Sequence, residues 1–146
     1  MARRRKRRLP SGSGGLVVLD PGAITKIANE YDSVARGMWE TLTTSGWRSC
    51  IPVVTLAEII TGRAHEDATI NLLARQVDST VDCDDRLARA AGSLRFACHG
   101  TATPSGTDSI VAAVAEANQP SIVLTTDPDD LSALLARAEQ AMVVGV

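Results

Sequence analysis

Apolar positions along this chain follow two rhythms. Short unbroken runs, "GLVVLD" (Gly15–Asp20), "CIPVV" (Cys50–Val54), "STVDC", "SIVLTT" and "AMVVGV", are bounded by Gly, Pro or acids and predict buried strands. Between them, apolar residues recur at i, i+3 and i+4, the spacing of a helix face. Ile24, Ile27, Ala28, Tyr31, Val34, Ala35, Met38, Trp39 and Leu42 predict one helix that starts at Pro21 and stops at Gly46. A helix follows Val54, with Thr55 as a plausible N-cap and Glu58 three residues on, a capping-box spacing. The helical pattern resumes over Glu66–Val77, with Ala68, Leu72, Leu73 and Val77 on one side. "DDRLARAAGSLRFACHG" predicts a helix opened by Asp84 or Asp85. "TDSIVAAVAEANQP" predicts one starting at Thr107 or Asp108, and "DPDDLSALLARAE" a last one.

The order of elements is β-α-β-α-α-β-α-α-β-α-β, with no convincing internal repeat. Strands that are apolar on both faces suit an α/β fold with a mostly parallel sheet covered by helices. A length of 146 residues fits a single domain. Aromatics make up only 3%, so the core must be built from Ala, Val, Leu and Ile. No apolar run approaches about 18 residues, so no transmembrane helix is expected. The basic N-terminus lacks the apolar stretch of a secretory signal. Cys50, Cys83 and Cys98 are odd in number and form no CxxC pair, which argues against a disulfide framework and fits a reducing, cytoplasmic setting.

The net charge of −2 conceals an asymmetry. Residues 1–15, "MARRRKRRLPSGSGG", hold six of the 15 basic residues and no acid, and are expected to be a disordered arm and linker. Such an arm suits contact with phosphates, and suits equally a solubilising tail. The body, residues 16–146, keeps nine basic residues against 17 acids, a net −8. An acidic body does not bind nucleic acid by charge alone, so acting on it requires that the carboxylates be masked, with a divalent metal the obvious means.

The acids fall in telling places. Asp20 ends the first strand, Glu58 lies in the first turn of the helix after the second, Asp108 opens the helix before the fourth, and Asp127 ends the fourth. The carboxyl ends of parallel strands and the first turns of the following helices share one sheet edge, where ligands of such folds bind. Asp20, Glu58 and Asp127 converge there, and Asp108 joins them if its helix runs the same way. Each acid alone could be a helix cap or, for Glu58, a capping-box partner. Together they point further, because unrelated caps would use Ser, Thr or Asn at some of these positions. Carboxylates sharing a site repel and raise one another's pKa unless a cation offsets them. All-oxygen ligation suits Mg²⁺ or Mn²⁺ rather than Zn²⁺. Two such ions about 4 Å apart suit in-line phosphodiester hydrolysis. Other constellations are weak: His65 and His99 read as surface residues, Cys83 and Cys98 as packing residues, and Trp39 and Trp47 as cover for the core or an interface.

The segments "VVLDPGAI", "VVTLAEII", "TDSIVAAVAE" and "IVLTTDPDDL", in this order and spacing, resemble PIN-domain proteins, the metal-dependent ribonuclease family that includes VapC-type toxins. The resemblance covers roughly residues 16–146. It implies a single-domain α/β/α sandwich with Asp20, Glu58, Asp108 and Asp127 as the catalytic and metal-binding carboxylates. It also implies that Thr125 orients the site as the hydroxyl of a "TxD" turn, and places a further acid at Asp130, where helix capping explains the residue as well. Mg²⁺ or Mn²⁺ as cofactor, RNA as substrate, a homodimer and, for toxin members, an antitoxin partner follow from the same resemblance. Pro21 departs from the small residue usual after the first acid, and the basic arm is no part of the family core. A PIN-like binding module acting through dimerisation or a protein partner is the alternative. A response-regulator receiver would need an acid pair at the first strand and a Lys near the last, and this chain has neither.

Overall fold

The structure, a computed structural model, describes residues 14–146, so the expected disorder of the basic arm lies outside the described residues. Among these residues five strands form one sheet: β1 (Leu16–Leu19), β2 (Arg48–Pro52), β3 (Ser79–Val81), β4 (Ser121–Thr125) and β5 (Ala141–Gly145). Their order is β3-β2-β1-β4-β5, and every neighbouring pair is parallel. From β1 the chain builds outward to β2 and β3, then crosses to β4 on the other side of β1. The carboxyl ends of β1 and β4 therefore flank the point where the winding reverses, which in open α/β sheets is a crevice.

Among the described residues seven helices cover the two faces: α1 (Pro21–Ala28), α2 (Ser33–Thr44), α3 (Leu56–Ile59), α4 (Ala64–Gln76), α5 (Asp85–Ala97), α6 (Gly106–Ala117) and α7 (Pro128–Leu134). Strand alternation sorts the core into two layers. Val17, Leu19, Ile51, Ile122 and Leu124 pack with α1, α2 and α4, whereas Val18, Cys50 and Val123 pack with α5, α6 and α7. Trp39 and Trp47 both fill the first layer.

Four expectations are corrected. The long helix from Pro21 is two, because the chain turns at residues 29–32 and Asp32 caps α2 by accepting the Ala35 N–H at 3.1 Å. Tyr31 and Val34, placed on the apolar face by spacing, are consequently exposed. The second strand starts at Arg48 and ends at Pro52, and Val53–Thr55 form a 3₁₀ turn. On α4 the inward stripe is Asp67, Ile70, Leu73 and then Val77, while Ala68 and Leu72 face solvent. Cys83 is exposed, since β3 stops at Val81 and no helix covers the turn after it; Cys50 and Cys98 are buried, and all three are free thiols. Among the described residues no helix is long and apolar enough to cross a membrane.

Candidate active site

Asp20 follows directly on β1. Its backbone N–H donates to Leu124 O at 3.1 Å, which continues the parallel ladder and fixes the residue at the mouth of the β1/β4 crevice. The residue is 6% exposed. One carboxylate oxygen, Oδ2, accepts the Thr125 hydroxyl at 2.7 Å in a buried bond. The other, Oδ1, is buried and has no hydrogen-bond partner among the described residues. Burial pushes the Asp20 carboxyl up to about 6; the Thr125 hydrogen bond opposes this, and the charges of Asp108, Glu58 and Asp127 add to it. The charges of the other three sequence-predicted carboxylates thus reach Asp20, which is the buried member of the four.

The Thr125 hydroxyl has a single proton and gives it to Asp20, while its oxygen accepts the Asp127 N–H at 3.0 Å. It therefore links the first strand end to the turn that carries Asp127. Asp127 is exposed and precedes Pro128, yet its side chain makes no capping bond to α7. Asp20 likewise makes no capping bond to α1. Glu58 is exposed on the single turn α3, and the capping box anticipated with Thr55 does not form: the Thr55 hydroxyl donates to Pro52 O at 2.7 Å. Capping therefore does not occupy Asp20, Glu58 or Asp127.

Asp108 differs. Ser105, not Thr107 or Asp108, is the N-cap of α6; its hydroxyl accepts the Asp108 N–H at 3.1 Å, and Asp108 Oδ2 accepts the Ser105 N–H at 2.9 Å. This reciprocal box anchors Asp108 through one oxygen. The Ser105-x-x-Asp108 spacing carried that signal in the sequence. Asp129 and Asp130 occupy the first turn of α7, where the helix dipole favours them. His65 and His99 are exposed.

One contact was not legible beforehand. A Cβ at Gly22 would run into the Thr126 side chain, so any other residue there would require that side chain to shift. This approach holds the helix that follows Asp20 against the turn that precedes Asp127. A cavity of about 620 Å³, lined by Trp47, Pro120, Leu135 and Met142 among others, opens at the amino ends of the strands, away from the carboxylates.

The donor set is carboxylate only, and the orphaned buried Oδ1 of Asp20 suits a hard cation. Among the described residues, however, no three His, Cys, Asp or Glu side chains are grouped closely enough to hold a metal ion by themselves. The residues fit a largely hydrated Mg²⁺ or Mn²⁺, bound through one or two carboxylates with water completing the shell, rather than an all-protein cage.

No family model and no curated protein matches the chain. Solved structures do. The VapBC2 complex from Rickettsia felis bound to a DNA fragment from its promoter superposes with a TM-score of 0.69 at 13% identity, covering 89% of this chain and 98% of the other. DNA-bound VapBC from Salmonella typhimurium gives 0.65 at 21% identity, with 90% and 98% covered. VapBC-5 from Mycobacterium tuberculosis, a member of the VapBC family of toxin–antitoxin systems, gives 0.56 at 25% identity, with 91% and 100% covered. The likeness runs over nearly the whole described chain, and by fold the protein is a PIN-like α/β/α sandwich of the kind found in these VapBC structures.

Proposed function

We propose that the chain is a metal-dependent endoribonuclease that hydrolyses RNA phosphodiester bonds, acting as the toxin of a type II toxin–antitoxin pair. The observation that carries this reading is the state of Asp20: buried, held through one oxygen by Thr125, unpartnered at the other, and pressed by three further carboxylates. Such a centre is unfavourable on its own and is relieved by a cation. Asp20 and Asp108, each fixed through one oxygen, would hold Mg²⁺ or Mn²⁺ with the other. When bound, the ion supplies Lewis-acid stabilisation of phosphate charge and lowers the pKa of water. Glu58 and Asp127, exposed and free of capping bonds, would complete the ligation of the ion, directly or through its bound water. In the net reaction water oxygen bonds to phosphorus and the ester oxygen leaves with a proton. The toxin assignment draws on the fold shared with VapBC complexes; on that footing the partners are RNA, an antitoxin protein and a second copy of the chain, in the cytoplasm.

A partner-binding module with little nuclease activity is the second reading, favoured by the lack of a tight three-ligand cluster among the described residues. One experiment separates the two. Purified protein is incubated with a mixture of structured RNAs and Mg²⁺ or Mn²⁺, against EDTA and against Asp20→Asn. Metal-dependent cutting that is lost in the variant supports the nuclease. Full activity in Asp20→Asn removes Asp20 from the site. No cutting, together with no Mn²⁺-induced rise in melting temperature, favours the binding module.

A further inference from the structure

Glu58 is the least anchored of the four carboxylates. It rides on α3, one turn of four residues, far below the length at which a helix sustains itself. Its carboxylate makes no hydrogen bond or ion pair among the described residues, so its position is set by the α3 backbone alone. That backbone is tied at both ends. Before α3, the buried Thr55 hydroxyl holds Pro52 O at 2.7 Å. After it, the chain enters the turn Ile60–Arg63, with Gly62 at φ +82°. There one side chain gathers three donors: Asp67 Oδ1 accepts the Thr61 N–H at 2.9 Å and the Thr61 hydroxyl at 3.0 Å, and Oδ2 accepts the Gly62 N–H at 2.9 Å.

Asp67 is 4% exposed and stands on the inward stripe of α4, where helical spacing calls for an apolar residue ahead of Ile70 and Leu73. A carboxylate in such a position needs its lone pairs met, and the turn after α3 meets them. The turn's N–H groups, Thr61 first, hold the Asp67 carboxyl below the usual carboxylate range, so it stays ionised at neutral pH.

We propose that Asp67 is a positioning residue for the carboxylate site: by clamping the turn Thr61–Gly62 it fixes α3 and thereby holds Glu58 at the sheet edge beside Asp20. The inference rests on Glu58 being a member of that site. It assigns Asp67 a role distinct from stabilising its own helix, and the two separate in a double-mutant cycle. Mn²⁺ alone is titrated calorimetrically into wild type, Asp67→Asn, Glu58→Gln and the double variant, with amide hydrogen exchange at Ile60–Gly62 followed in parallel. The expected result is faster exchange in Asp67→Asn and Mn²⁺ affinity about tenfold weaker, the scale for residues that support a metal ligand. In the Glu58→Gln background the same change has no further effect on affinity.

Equal weakening in both backgrounds would mean that Asp67 acts by its own charge or by general destabilisation, and overturns the proposal. So does unchanged Mn²⁺ affinity in Asp67→Asn with Glu58→Gln still impaired. If Glu58→Gln itself binds Mn²⁺ as wild type does, Glu58 leaves the site and the proposal falls with it, recognisably for that reason. Should Asp67→Asn not fold, Thr61→Val keeps the Asp67 carboxylate, removes its hydroxyl bond together with the Arg63 N–H bond to the same hydroxyl, and enters the same cycle.

Discussion

Asp20 is the residue on which local chemistry turns. Its carboxyl, ordinarily near 3.8, is pushed to about 6 by burial and by neighbouring acids. Between these values the folded protein binds a proton that the unfolded chain has released, so this residue's contribution to stability falls as pH rises from about 4 to about 6. Above that window the ionised carboxylate is a standing cost. Metal-free wild type is therefore expected to lose melting temperature between pH 5 and pH 7.5 relative to Asp20→Asn, whose profile is flatter. Adding Mn²⁺ at pH 7.5 recovers wild type and not the variant. Superimposable profiles by scanning calorimetry would show that Asp20 is not the strained group. The strand-end position of Asp20 was legible from the sequence, because an apolar run stopped by an acid at the carboxyl end of a parallel strand has one place to go. Its missing hydrogen-bond partner was not, since that depends on what surrounds the second oxygen in space.

At the scale of elements, the site is built from short pieces braced by close contacts. The Gly22–Thr126 approach is the tightest of these at the carboxylate edge. Gly22→Ala should destabilise by about 1–3 kcal/mol, the range for overpacking a filled contact. Thr126→Ala in the same chain should recover part of the loss, because it removes two of the three atoms that the new Cβ meets. Urea denaturation of the two variants measures both effects, and an undiminished midpoint in Gly22→Ala would mean that α1 can retreat. Most helices were readable from their periodicity, but the start of α6 was placed at Thr107 or Asp108, although the Ser105-x-x-Asp108 spacing of a capping box was there to be read. The break between α1 and α2 was missed because Tyr31 and Val34 kept helical spacing across it. The Asp32 cap shows why spacing was insufficient: one side-chain bond to the Ala35 N–H starts a new helix whatever the apolar rhythm says. Asp67 was missed for the opposite reason. A rhythm that puts Leu72 inward turns Asp67 outward, and the true stripe is rotated.

Over the whole molecule, stability should fall from the centre of the sheet to its edge. Leu124 lies on β4 between β1 and β5 and is wholly buried, whereas Val143 on the edge strand β5 is only partly so. Leu124→Ala is expected to cost about 2–5 kcal/mol, the range for emptying a packed core site. Val143→Ala, with less surface withdrawn from water, should cost clearly less. Chemical denaturation of both variants tests the gradient, and equal losses would contradict it. Trp39 and Trp47 are both buried, so their emission should report the transition directly.

What the chain's order of residues determined by itself was the alternation of strands and helices, the parallel sheet, and the collection of Asp20, Glu58, Asp108 and Asp127 at helix starts and strand ends. These follow from local rhythm and from the geometric rule that parallel strands share a carboxyl edge. Tertiary structure alone decided which acids serve as caps and which do not. It also decided the burial of Asp20 beside Thr125, the fit of Gly22 against Thr126, and the clamp of Asp67 on the turn after α3. The physical reason is common to all of them. A hydrogen bond or a close contact between residues 105 positions apart, as for Thr125 and Asp20, leaves no trace in local periodicity and exists only once the sheet has brought its strand ends together.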